Sequence, residues 1–253
     1  MRAWSVWLLP LLTGIIFLIL ILFNWNQPLF LALNRIGPAT SESLWAHITV
    51  LGDTLVALAL CLPLWRRRPD LVWALLFAVV LSALWVHVLK QAADVPRPPA
   101  VLQGLHVIGP AYKAGAFPSG HATTAFTIAG LFALGFRSPV LTTVSLLVAL
   151  AIGLSRMVVG VHWPLDVLAG VFGGWLCAAA GLRIGKRTEN FGRKAWVQWI
   201  LGLLLVACCL VLIYGNSKSG YLDTLNFQRA VGLAGLLFAG ARLIRDFRRR
   251  PGL

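Results

Sequence analysis

Three short segments of this chain carry side chains able to hold and attack an anion. The first spans 90–98 and contains Lys90, Arg97 and Pro98. The second is Pro118, Ser119, Gly120 and His121. The third runs from Ser155 through Arg156, Gly160, His162 and Pro164 to Asp166. A phosphate ester carries negative charge that cations and N–H donors must meet. Lys90, Arg97 and Arg156 supply three cations, the arginines as planar forks matched to paired oxygens and the lysine as a point charge. Pro98 drives Arg97 into an extended conformation, aiming it away from a helix end. Ser119, Gly120 and His121 are expected to open a helix, where unpaired N–H groups bind anions readily. Ser119 either caps that helix or donates to an oxygen, and Gly120 lets the backbone come close. Asp166 follows His162 by four residues, a spacing that puts both on one helix face. Pro164 suits the first turn of the helix carrying Asp166. Metal ligation is the rival use of His and Asp. Three cations at the same spot would repel a metal ion, so the expected site holds no metal and no cofactor.

The elements that must position these segments are apolar. The chain has 253 residues, 59% hydrophobic and 12% charged, with a mean hydropathy of +0.83. A soluble domain carries about 25% charged residues, so this composition is that of a membrane protein. Apolar runs near the ~20 residues of a bilayer span occur at 4–23, 44–65, 71–89 and 197–214, with shorter ones at 121–136, 139–154, 165–182 and 230–244. The first run exceeds the h-region of a signal peptide and no small-x-small site follows it, so it is expected to be a retained helix.

A net charge of +14 is compatible with a nucleic-acid partner, but its placement points to a bilayer. With a cytoplasmic N-terminus, the inside set is Arg2, Arg66, Arg67, Arg68, Arg137, Arg183, Lys186, Arg187, Arg193, Lys194, Arg242, Arg245, Arg248, Arg249 and Arg250. The outside set is Arg35, Lys90, Arg97, Lys113, Arg156, Lys218 and Arg229. This is the positive-inside pattern, and it puts all three polar segments on the non-cytoplasmic side. The basic tail from Arg242 to Arg250 is expected to touch anionic headgroups.

Together the segments read K-x6-R-P, P-S-G-H and S-R-x5-H-x3-D, and over roughly residues 40–182 the chain resembles the type 2 phosphatidic acid phosphatase (PAP2) superfamily. The resemblance implies an all-α, polytopic transmembrane helix bundle. It would comprise a six-helix catalytic core at 1–182, a basic cytoplasmic linker at 183–196, and an added transmembrane hairpin with a basic tail at 197–253. It implies His162 as the nucleophile that forms a phosphohistidine, Asp166 as the group that orients it, and His121 as general acid and then base. Lys90, Arg97, Ser119, Gly120 and Arg156 would bind the phosphate. The implied reaction is hydrolysis of a lipid phosphomonoester or pyrophosphate at the outer face of a bacterial inner membrane. Undecaprenyl pyrophosphate, phosphatidylglycerol phosphate, phosphatidic acid and lipid A phosphates are the candidates, the first favoured by analogy. Transfer to a second lipid would use the same intermediate. A vanadium-dependent haloperoxidase, with a related site, and a non-catalytic lipid-binding or flipping protein are the remaining alternatives.

Other features read more simply. Cys61, Cys177, Cys208 and Cys209 lie in apolar runs without metal-ligand spacing and are expected to pack. His47, His87 and His106 read as hydrogen-bonded surface residues. Asp53 interrupts the second run and is either functional or locally paired. The stretch from Pro99 to Phe117 contains Gly104, Gly109, Pro110 and Gly115 and suggests a turning lid. The hairpin carries no chemical signature, and the oligomeric state is left open.

Overall fold

The computed structural model describes residues 3–136, 138–215 and 220–248. Of the charges used for orientation, Arg2, Arg137, Lys218, Arg249 and Arg250 lie outside the described residues. Within them the chain is all helix: α1 (Ala3–Leu22), α2 (Asn26–Asn34), α3 (Ile36–Ala39), α4 (Glu42–Val50), α5 (Thr54–Cys61), α6 (Pro69–Ala93), α7 (Pro98–Val101), α8 (Gly120–Phe136), α9 (Pro139–Val158), α10 (Pro164–Arg187), α11 (Glu189–Gly192), α12 (Ala195–Tyr214) and α13 (Leu225–Arg248). Single 3₁₀ turns at Leu62–Leu64 and Leu222–Thr224 complete the set. Five helices are long and apolar enough to cross a membrane, or up to seven if each bent pair is one span. Leu11, Leu18, Leu84, Leu147, Leu203 and Leu237 stand exposed on the outer faces. Such helices leave no backbone group unpaired in hydrocarbon and suit a lipid solvent. The chain is a multi-pass membrane protein.

Proline sets where several helices begin. Pro69, Pro139 and Pro164 occupy first-turn positions, where a missing N–H costs nothing. Ser138 caps α9 by accepting from Leu141 N. Asp94, at φ 40°, ends α6 in the left-handed region.

α10 is the hub. Its glycines allow close approach of α8 and α6, as small residues do between membrane helices. A Cβ on Gly170 would lie 2.8 Å from Ser119 O, and one on Gly181 would lie 2.7 Å from Ala78 N. Both neighbours are backbone and cannot swing aside.

One sequence expectation needs correction. The run 44–65 is not one helix: α4 and α5 meet at a bend of 63°. Gly52 lies there because a Cβ would come within 2.6 Å of Ile152 Cγ2 and 3.0 Å of His121 Cβ. Asp53 then restarts the helix, its Oδ1 accepting from Leu55 N at 2.9 Å and Val56 N at 3.4 Å. Asp53 is therefore a helix cap. The stretch 24–43, outside the apolar runs, contains α2 and α3, turned 102° from α1. Pro28 falls in the first turn of α2, where its nitrogen has no intrahelical duty. Phe30 anchors that helix with no exposed surface.

The end opposite the motifs is basic. Arg66 Nε pairs with Asp246 Oδ2 at 3.1 Å, and Arg68 NH2 donates to Gly135 O at 3.3 Å and to Asp70 Oδ2 at 2.7 Å. Arg68 precedes α6 and Lys90 lies in its last turn, and the helix's 25 residues span about 37 Å at 1.5 Å per residue. A crevice of about 1120 Å³ lies near this basic end, among Val6, Leu71, Leu134, Leu176 and Arg183. It contains no motif residue.

Gly181→Val is expected to destabilise the bundle by about 1–3 kcal/mol, as overpacking does. Gly14→Ala, at a position with nothing within 4 Å, should leave stability unchanged. Thermal unfolding in detergent separates the two.

Candidate active site

Four helix ends converge on the motif residues: the ends of α6 and α9 and the starts of α8 and α10. Past the end of α6 the chain extends, and Arg97 takes φ −79° and ψ 158°, the conformation Pro98 demands. Its guanidinium is almost fully engaged. Nε donates to Ala114 O at 2.9 Å, NH2 to Gly115 O at 3.2 Å and NH1 to Val161 O at 3.3 Å. Lys90 Nζ donates to the same Gly115 O at 2.8 Å. The loop after α7 thus wraps the two cations with carbonyl oxygens, and turns at Gly104, Gly109 and Gly115 with positive φ.

Arg156 ends α9 and is 3% exposed. Its NH1 donates to Thr49 Oγ1 and, at 3.2 Å, to Tyr221 Oη. A tight turn follows, with Val159 N bonded to Ser155 O at 2.8 Å and Val161 N to Arg156 O at 3.2 Å. Gly160 makes that turn at φ 84°, where a Cβ would also sit 2.7 Å from His106 O. Asn34, from α2, braces it by donating to His106 O at 2.8 Å and Val158 O at 3.1 Å.

The turn delivers His162, which is 2% exposed. Its Nδ1 lies 3.3 Å from Asp166 Oδ2, and that oxygen also accepts from Trp163 N at 2.8 Å. The contact is not the helix-face pairing expected from spacing. His162 precedes α10, which begins at Pro164, and Asp166 reaches back over the helix start. The geometry fixes the tautomer: Nδ1 carries the proton toward the carboxylate and Nε2 keeps its lone pair. Nε2 faces Arg97 NH1 at 3.3 Å. Burial first, then Arg97, Arg156, Lys90 and His121, hold the His162 pKa well below the ordinary 6.5. The ring is neutral near neutral pH.

Ser119 is fully buried at the head of α8. Its Oγ accepts from Ala122 N at 3.5 Å, and its own N–H donates to Asp166 O at 2.9 Å. This backbone bond ties the second motif to the third. Gly120 and His121 form the first turn of α8. His121 Nε2 and Arg156 Nε are buried with no hydrogen-bond partner among the described residues, and a buried polar atom left so is costly.

All eight residues expected at the site, Lys90, Arg97, Ser119, Gly120, His121, Arg156, His162 and Asp166, therefore gather at one end of the bundle. The remaining histidines are elsewhere engaged: His47 Nδ1 with Ser43 O at 2.6 Å, His87 with Gln91 at 3.1 Å, and His106 with Glu42 at 2.9 Å. No group of three or more His, Cys, Asp or Glu with the arrangement of a metal site occurs among the described residues. Sequence reasoning missed Thr49, Asn34 and Tyr221. Thr49 sits in an apolar run without any local signal, and Tyr221 belongs to the hairpin beyond the motifs.

The geometry agrees with what the chain is similar to. Residues 71–190 match the family model of the PAP2 superfamily. An undecaprenyl-diphosphatase of Sulfolobus acidocaldarius is 31% identical over 194 residues, covering 70% of this chain and 89% of that protein. A lipid A 1-phosphatase of Rhizobium johnstonii is 38% identical over 106 residues, 40% of this chain and 43% of that protein. The crystal structure of Aquifex aeolicus LpxE superposes with a TM-score of 0.58 at 31% identity, covering 62% of this chain and 94% of that one. This is a membrane phosphatase fold in which all three sequence motifs are present. The chain belongs to the PAP2 superfamily.

Because its folded-state pKa is depressed, the His162 ring should stay neutral at pH 6.5 in substrate-free protein, where a free histidine is half protonated. Histidine-selective ¹³C and ¹⁵N spectra in detergent, assigned with His162→Ala, check this. A ring that is charged at that pH contradicts it.

Proposed function

We propose that this chain hydrolyses the phosphate or pyrophosphate of a membrane lipid through a phosphohistidine at His162. The observation that carries the reading is the environment of the two imidazoles. His162 is oriented by Asp166 with Nε2 toward Arg97, and His121 Nε2 and Arg156 Nε are both buried without a hydrogen-bond partner among the described residues.

In the first step Nε2 of His162 attacks phosphorus, the bond to the lipid oxygen breaks, and His121 gives that oxygen a proton. In the second, His121 takes a proton from water as the water oxygen attacks. The P–N bond then breaks and inorganic phosphate leaves. Asp166 holds the Nδ1 proton and stabilises the charge that develops on the ring. Lys90, Arg97 and Arg156, with Ser119, Gly120 and the first-turn N–H groups of α8, hold the non-bridging oxygens. Charge neutralisation comes from these cations, so the mechanism runs without a metal.

The architecture in this reading is a six-helix core with a C-terminal hairpin. Five long helices, the two bent pairs and the shorter apolar Gly120–Phe136 make eight crossings. Core, linker and hairpin then divide at 1–182, 183–196 and 197–253. The excess of Lys and Arg at the end opposite the motifs supports a cytoplasmic basic end, with the site on the outer, periplasmic face of a bacterial inner membrane. Among lipid phosphates, undecaprenyl pyrophosphate is favoured. The relative matched over the larger share of its length is an undecaprenyl-diphosphatase.

Purified protein in detergent with EDTA is expected to release phosphate from one class in a panel of lipid phosphates. His162→Ala should abolish release. His121→Ala should lower kcat by about 10²–10⁴-fold, the range of a lost general acid. Asp166→Asn should cut turnover steeply in folded protein. Full turnover by His162→Ala, or an absolute need for a divalent cation, would sink this mechanism.

A further inference from the structure

The hairpin beyond the family match reaches into the phosphate site. We propose that Tyr221 is a positioning residue that sets the guanidinium of Arg156 and makes the hairpin part of the active site. The inference rests on the phosphate-binding role given to Arg156 above.

The placement is specific. Tyr221 follows α12, outside residues 71–190, yet it is 4% exposed. Its Oη accepts from Arg156 NH1 at 3.2 Å, and Thr49 Oγ1 accepts from the same nitrogen. With NH1 held by two partners from separate elements, the rotation of the guanidinium plane is fixed. The unpartnered Nε is then fixed as well. A fork presents its donors in a rigid plane, so restraining one nitrogen aims the others.

The ring of Tyr221 has a second duty. A Cβ on Gly109 would fall 2.5 Å from Tyr221 Cε1, and one on Gly220 would fall 2.5 Å from Pro110 Cγ. The hairpin turn therefore presses on the loop whose Ala114 and Gly115 carbonyls hold Arg97 and Lys90. The turn itself is pinned. Thr224 Oγ1 donates to Tyr221 O at 2.7 Å, and Gln228 Nε2 donates to Thr224 Oγ1 at 2.8 Å. One residue of the hairpin thus touches one phosphate-site cation directly and backs the loop that holds the other two.

Tyr221→Phe keeps the ring against Gly109 and removes only the hydroxyl. In full-length protein it should leave the thermal midpoint in place. It should weaken binding of inorganic phosphate, read by calorimetry, about twofold to tenfold, the range of one ordinary hydrogen bond acting through Arg156. KM for the lipid phosphate should rise in parallel. Thr49→Val, which removes the other partner of the same nitrogen, should shift phosphate binding in the same direction. In an Arg156→Lys background, where the fork is gone, Tyr221→Phe should have no further effect.

An unchanged phosphate affinity in Tyr221→Phe would overturn the proposal, and so would an equal loss in the Arg156→Lys background. Phosphate binding is read without turnover. Wild-type protein that hydrolyses no lipid but shows the Tyr221-dependent affinity would end the hydrolase reading and uphold the coupling. Wild-type protein that does not bind phosphate would end both.

Discussion

Three cations sharing a buried end of a helix bundle repel one another, and the fold is built around holding them there. Lys90 and Arg97 are held by main-chain carbonyls, above all Gly115 O, which accepts from both. Arg156 is held by two hydroxyls. Asp166 is the carboxylate of this cluster, and it lies against His162 and the main chain instead of forming an ion pair with an arginine. Neutral oxygen dipoles fix the cations in space without cancelling their charge. In the proposed reading that charge is available to an incoming anion, as a preorganised site requires. Burial first, and the cations' field with it, keep the His162 ring neutral and its lone pair available.

Positioning comes from close packing deeper in the bundle. α10 carries His162 at its threshold and Asp166 in its first turn, and its glycines bring the backbones of α8 and α6 to within contact of its own. That closeness puts Ser119 N within 2.9 Å of Asp166 O. The bend between α4 and α5 contributes in the same way. Gly52 allows α4 to pass beside Ile152 and His121, and this brings Thr49 to Arg156.

The sequence disclosed the site more fully than the scaffold. The eight motif residues were legible because each combination of charge, small residue and histidine is unusual beside an apolar run. The long spans were legible from hydropathy alone. The break at Asp53 was not, since its cause is a tertiary contact at Gly52 and no local pattern records it. The helix at 26–34 lies outside the apolar runs, so hydropathy did not mark it. The Asp166 contact was anticipated for the wrong reason. Spacing suggested two residues on one helix, while the chain uses the helix start as a corner. Tyr221 was invisible because a lone tyrosine after an apolar run has no signature until the hairpin folds back over the loop.

Residue 166 serves two masters through different atoms. Its side chain addresses the imidazole and Trp163 N, and its carbonyl oxygen accepts from Ser119. The first set of contacts depends on which amino acid is present, and the second does not. Joining of the second motif to the third is thus written in the main chain, where substitution does not reach it. A lineage that altered the proton chemistry at this position would keep the same architecture around a changed reaction, so shape and reactivity here are separately heritable.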